Sequence, residues 1–173
     1  MDAAFGTPYW AYDWGGGLAL ARHLLDHPGI VAGRRVLDLG TGSGVVAIAA
    51  ALSAARQVIA ADVDRYAIAA TQLNAAANGV GVDTLLGDLT AGRAPDTDLL
   101  LVGDLFYEEG LARRVTDFLG RCLDAGIAIL VGDPGRAFLP RARLRLVAEY
   151  PGVDFGDTAP GGLRTNAVFA FGP

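Results

Sequence analysis

Apolar and polar positions alternate along this chain on two length scales. Short apolar runs at 36–39, 57–62, 82–86, 98–103 and 127–131, each bounded by polar or glycine residues, predict strands. Between them, longer stretches with small or apolar residues at helical spacing predict helices at 45–54, 65–78 and 111–123, with a first helix at 18–25. The run 98–103 is apolar almost throughout, as the middle of a parallel sheet covered on both faces requires. The helix at 65–78 carries Ala67, Ala70, Leu73 and Ala77 on one stripe and stops at Asn78-Gly79. Residues 141–149 read as a helix ending before Tyr150-Pro151. Residues 153–158 and 164–171 read as two strands joined by a turn at 159–162, the second alternating at Val168-Phe169-Ala170-Phe171. Strand-helix alternation closed by an antiparallel pair predicts one three-layer α/β domain over 1–173.

Composition narrows the class. With 173 residues and 52% hydrophobic content, the chain builds one sizeable core and is too short for two ordinary domains. Ser53, Arg56 and Gln57 interrupt the most apolar region, so no run reaches the ~18 residues of a bilayer span. The start, Met1 to Phe5, lacks the basic and apolar regions of a signal peptide; the expectation is a cytoplasmic monomer with no membrane partner. A net charge of -5 argues against a nucleic-acid partner. Cys122 is the only cysteine and sits in a helical pattern, so it predicts core packing. All 14 basic residues are arginine, so the chain has no lysine side chain of its own to modify. His23 and His27 share a helical face at a metal-binding spacing, but no third ligand is evident; they predict a solvated face and no metal site.

The chemistry starts at Asp38-Leu39-Gly40-Thr41-Gly42-Ser43-Gly44. A strand ends in an acid, passes through three alternating glycines and opens a helix, so a ligand can lie on bare backbone. A dinucleotide fingerprint has no acid before its glycines, because a carboxylate repels pyrophosphate; here an acid precedes them and attracts an ammonium. The pattern therefore resembles the S-adenosylmethionine loop of class I methyltransferases. A tight turn with no ligand is the alternative for the loop taken alone. Asp62 ends the second strand 18 residues after Gly44, where a doubly wound fold receives two ribose hydroxyls. After the third strand, Asp88 is placed for an adenine amino group and Leu89 for the ring face, or else Asp88 is a solvated loop acid.

Two further segments carry functional residue types. Residues 8–17 pack four aromatics and three glycines before the first helix, predicting an ordered wall. Trp14 is the candidate to touch the cofactor, and Trp10 either does so or covers the sheet edge. Gly103-Asp104-Leu105-Phe106-Tyr107-Glu108-Glu109 follows the fourth strand, on the edge where such sheets gather their chemistry. Aromatic faces attract a cation and carboxylates orient it, so this acid-aromatic segment points to an amine substrate. Glu109 reads instead as a helix-start acid. Gly132-Asp133-Pro134-Gly135-Arg136 is another polar loop on the same edge.

Taken in order, Pro8-Tyr9-Trp10-Ala11 with Trp14 and Gly16-Gly17, the acid-led glycine turn, Gly103-Asp104-x-Phe106-Tyr107-Glu108 and Gly132-Asp133-Pro134-Gly135-Arg136 look like the lysine methyltransferases of the electron-transfer flavoprotein beta subunit. These belong to the wider seven-β-strand protein methyltransferases. The resemblance implies a Rossmann-like α/β/α sheet of order 3-2-1-4-5-7-6, S-adenosylmethionine as donor and a protein lysine as acceptor. It implies a cofactor set of Trp14, Asp38, Gly40, Thr41, Gly42, Gly44, Asp62, Val63, Asp88, Leu89 and Gly103, and a catalytic set of Asp104, Tyr107 and Glu108. Two positions depart from the family pattern: Gly15-Gly16-Gly17 replaces Pro-Gly-Gly, and Ser43 stands where cysteine is frequent.

The donor methyl of a sulfonium is already activated, which leaves positioning of a neutral acceptor nitrogen as the enzyme's main contribution. A lysine near pKa 10.4 reaches the neutral form at pH 7 at roughly 4 to 5 kcal/mol. Burial among Tyr107, Phe106 and Trp10 lowers that cost; a nearby carboxylate alone raises it. The expectation is that Asp104 and Glu108 capture and orient the ammonium, Tyr107 fixes the nitrogen, and the proton leaves to an acid or water. The alternatives are a class I methyltransferase acting on a small molecule, a nucleic-acid methyltransferase, disfavoured by charge and by the absence of an N-P-P-aromatic loop, and a noncatalytic binding module.

Overall fold

The computed structural model describes residues 7–12, 14–152, 154 and 164–172. Seven strands form one sheet: β1 (Arg35–Leu39), β2 (Gln57–Asp62), β3 (Asp83–Leu86), β4 (Leu99–Gly103), β5 (Ala128–Asp133), β6 (Leu144–Gly152) and β7 (Arg164–Phe171). Their order is β3-β2-β1-β4-β5-β7-β6, as the resemblance implied. The first five strands are parallel, and β7 runs antiparallel to both β5 and β6. Helices α1 (Gly15–Asp26), α2 (Val45–Leu52), α3 (Arg65–Ala77) and α4 (Glu109–Asp124) connect or cover them.

β4 shows why its residues are apolar without alternation. Leu99 and Leu101 join Leu20 and Leu24 of α1 and Ala47 of α2 on one face, while Leu100 and Val102 join Val115, Phe118 and Leu119 of α4 on the other. Side chains on successive strand residues point to opposite faces, so a strand covered on both sides is buried at every position. Cys122 is fully buried in the α4 cluster, as its pattern predicted.

Three expectations need correction. Residues 141–149 are not a helix: a single 3-10 turn, Arg141–Arg143, follows Pro140 and leads directly into β6. A register shift between Leu146 and Ala148 breaks the alternation, putting Leu144 against the α4 core and Ala148 and Tyr150 against the α1 core, and the edge of β7 supplies the backbone partners that make the segment a strand. The predicted strand at 153–158 and turn at 159–162 lie outside the described residues apart from Asp154. His23 is not on a solvated face; it is buried, with Nδ1 2.9 Å from the Tyr150 hydroxyl, because α1 packs against β6. Phe106 is fully buried in the α4 core and does not face the site. It turns inward where Asp104, two residues earlier, faces the strand ends.

Candidate active site

The carboxyl ends of β1, β2 and β4, the loop after β3 and the aromatic residues Tyr9, Trp10, Tyr12 and Trp14 enclose a cavity of about 690 Å³. That size suits a drug-sized ligand. Asp38, Gly40, Thr41, Gly42, Asp62, Val63, Asp88, Leu89, Gly103, Asp104, Tyr107, Glu108 and Trp14 all line it, so donor-side and acceptor-side candidates share one space. Gly44 is the exception among them. It takes φ +89° at the start of α2, and a Cβ there would meet the Thr71 side chain at 2.9 Å, so its bareness serves helix packing behind the wall.

The glycine turn positions Asp38 through local geometry. Gly42 takes φ +57°, a left-handed conformation costly for other residues, and its bare face looks toward the Trp10 backbone 3.8 Å from a Cβ position. Asp38 is 1% exposed; Oδ2 accepts from Thr41 Oγ1 at 2.7 Å and from the Ala47 amide at 3.2 Å. Burial pushes its carboxyl up to about 7, against the lowering effect of those hydrogen bonds. Asp62 binds the turn to the second strand, accepting from the Gly42 amide at 3.0 Å and the Asp64 amide at 2.9 Å. Asp88 accepts from both the amide and hydroxyl of Thr90, at 2.8 and 2.6 Å, and these bonds hold its pKa below the ordinary value.

The opposite wall is aromatic. Trp14 Nε1 donates to the Tyr9 carbonyl at 2.8 Å, and Tyr9 stacks on Tyr107 with ring centroids 6.3 Å apart. Tyr9 and Tyr107 are both more than half exposed and stand at the mouth. Tyr9 was legible as part of the aromatic segment but its partner was not, because nearly 100 residues separate them.

Asp104 adopts φ +58°, an uncommon backbone state for a residue with a Cβ. Both its oxygens are engaged: Oδ2 accepts from the Gly17 amide at 2.6 Å and Oδ1 from Arg136 Nη2 at 2.7 Å. Burial raises its pKa while Arg136 opposes the rise. Glu108 is the N-cap of α4, accepting from the amides of Gly110 and Leu111 at 2.7 and 2.9 Å, and those bonds lower its pKa. Each carboxylate thus enters the site with one bond on each oxygen and a second lone pair on each remaining. Arg136, which the candidate set omitted, also lines the cavity, with its guanidinium carbon 5.1 Å from the Trp14 ring centroid.

Comparison with known proteins decides the family. Residues 19–100 match the model of the ribosomal protein L11 methyltransferase (PrmA) family. The electron transfer flavoprotein beta subunit lysine methyltransferase of Danio rerio is 41% identical over 177 residues, covering 96% of this chain and 67% of that protein. The chain belongs to this lysine methyltransferase family. The protein of the same description from Rattus norvegicus is also 41% identical, over 98% of this chain and 69% of its own length. The chain therefore spans about two thirds of these relatives. A crystal structure of the ribosomal protein L11 methylase of Lactobacillus delbrueckii subsp. bulgaricus superposes with a TM-score of 0.62 at 21% identity, covering 89% of this chain and 77% of that one, a likeness of fold.

As a member of the family the chain is an S-adenosylmethionine-dependent methyltransferase, and the cavity fits that cofactor. A buried acid beside bare glycine backbone suits a cationic amino-acid end, Asp62 suits a diol, and the Asp88-Leu89 corner suits an amino-bearing aromatic ring.

Proposed function

We propose that this methyltransferase modifies the side-chain nitrogen of a lysine on a partner protein, the electron-transfer flavoprotein beta subunit or a protein like it. The observation that carries the reading is the continuity of one cavity from Asp38 to the exposed pair Tyr9 and Tyr107. An aromatic mouth over a buried acid suits a long alkyl chain ending in an amine. The relatives support a protein acceptor, since one family is named for the electron transfer flavoprotein beta subunit and the other for ribosomal protein L11.

When bound, S-adenosylmethionine supplies an activated methyl group. The residues around it have the remaining tasks. Asp38, Asp62, Val63, Asp88 and Leu89 hold the donor, with Gly40, Thr41, Gly42, Gly103 and Trp14 shaping its bed. Gly44 supports that bed from behind by admitting Thr71. Tyr9 and Tyr107 flank the acceptor chain, exclude water from it and so disfavour its charged form. Asp104 and Glu108 orient the nitrogen through their remaining lone pairs.

The test is incubation with isotopically labelled cofactor and purified electron-transfer flavoprotein beta subunit, followed by peptide mass mapping. Label is expected on a lysine of the partner, and because this chain contains no lysine, a lysine signal has one source. In a parallel incubation with a cell extract, label recovered only in low-mass material would replace this reading with a small-molecule acceptor.

A further inference from the structure

Arg136 lines the cavity outside the donor and acceptor sets assigned above, and it is held by a dense set of contacts. Its Nη2 donates to Asp104 Oδ1 at 2.7 Å and Asp154 Oδ1 at 3.2 Å, with both carboxylates less than a tenth exposed. Each of those acids also takes an amide from the first turn of α1: Gly15 to Asp154 at 2.9 Å and Gly17 to Asp104 at 2.6 Å. The guanidinium face lies over Trp14, and the Arg136 backbone amide donates to Asp133 at 2.7 Å.

We propose that Arg136 is a positioning residue of the acceptor site, whose pairing with Asp104 offsets that carboxylate's charge so that the site orients an amine without retaining its proton. The proposal rests on the reading of an amine acceptor. A bare buried carboxylate beside the nitrogen stabilises ammonium and opposes methyl transfer, because only the neutral amine has a free electron pair. A carboxylate already paired with a guanidinium still accepts a hydrogen bond while exerting a weaker field. The groups facing Asp104 are Arg136 and the carboxyls of Asp133 and Asp154; those facing Tyr107 at the mouth are Tyr9, Glu108, Asp62 and Arg114. Asp133 is fully buried with Oδ2 unpartnered, and although burial pushes it up to about 6 it is mostly ionised near neutrality and adds to the negative charge that Arg136 offsets. Removing Arg136 takes the positive charge out of this cluster, and across the pH range in which Asp104 stays ionised the field at the nitrogen becomes more negative.

The experiment follows kcat from pH 6 to 10 at saturating cofactor and partner, reading methylation of one mapped lysine, because kcat reports ionisations of the bound complex. In Arg136→Met the rising limb is expected to move up by about one pH unit, a roughly tenfold loss near neutrality that closes at high pH. Arg136→Lys should keep the wild-type limb, and the double variant Arg136→Met/Asp104→Asn should restore it even at lower absolute rate. Asp104→Asn alone should move the limb down, which preserves a test if Arg136→Met folds poorly. A loss in Arg136→Met that is uniform across pH, or a shifted limb that Asp104→Asn fails to restore, overturns the proposal. Absence of lysine methylation by the wild-type protein would instead overturn the functional reading beneath it.

Discussion

Gly16 and Gly132 pack backbone on backbone: a Cβ added to either would be driven into the carbonyl group of the other. Gly17 and Gly103 make a second such approach, 3.1 Å from the Gly103 Cβ position to the Gly17 Cα. The first turn of α1 therefore lies directly on the ends of β4 and β5, which brings the Gly17 amide to Asp104 and sets Trp14 at the cavity. Gly16→Ala is expected to destabilise by about 1–3 kcal/mol, an overpacking penalty, and to weaken cofactor binding as the aromatic wall moves. Gly120→Ala, on α4 with nothing within 4 Å of the added methyl, is the control and should stabilise by roughly 0.4–1 kcal/mol. Urea unfolding with calorimetric cofactor titration reads both.

The pH dependence of the free protein should carry the signature of Asp38. Its folded pKa of about 7 lies above the unfolded value of about 3.9, so the folded state binds the extra proton between them. Stability is greatest below the lower value and falls as pH rises toward 7. Asp38→Asn removes that fall and should be the more stable protein at pH 8, by at most about 4 kcal/mol. The same ionisation should make wild-type cofactor affinity drop below pH 7, approaching tenfold per unit, with the Asn variant weak and flat. Equal affinity of the two proteins at pH 8 would contradict the assignment of Asp38 to the cationic end of the cofactor.

Phe106 and Tyr107 are neighbours with opposite exposure, and their truncation should separate stability from transfer. Phe106→Ala opens a cavity beside Phe118 and is expected to lose about 3–5 kcal/mol. Tyr107→Ala, at the exposed mouth, should change stability by less than about 0.5 kcal/mol while lowering methyl transfer at least tenfold. Tyr107→Phe keeps the stacked ring and isolates the hydroxyl. Thermal melts and single-turnover assays on the three variants make the comparison.

Glu108 has two tasks that substitution can part. Glu108→Ala deletes the cap of α4 and should lower the melting temperature, whereas Glu108→Gln retains an acceptor for the Gly110 and Leu111 amides and should lower it less. Because capping depresses the folded pKa, this contribution is present above the unfolded value and fades as pH falls through the folded one. Reduced transfer in both variants marks the charge as part of acceptor orientation; reduced transfer in Ala alone marks Glu108 as a cap.

The sequence by itself determined the parallel core strands, the glycine turn and the acids that end β1 and β2, because each depends on neighbours a few residues away: strand period, left-handed glycine, a carboxylate at a strand end. The order of Asp104, Tyr107 and Glu108 was legible for the same reason, but not that Phe106 turns into the α4 core between them. Tertiary structure alone decided that 144–152 is a strand, since its hydrogen-bond partners belong to β7, and that Arg136 reaches Asp104, 32 residues away. Chain spacing encodes local conformation directly. Pairings across the sheet edge depend on where whole elements are packed, so the charge balance at the acceptor end exists only in the folded chain.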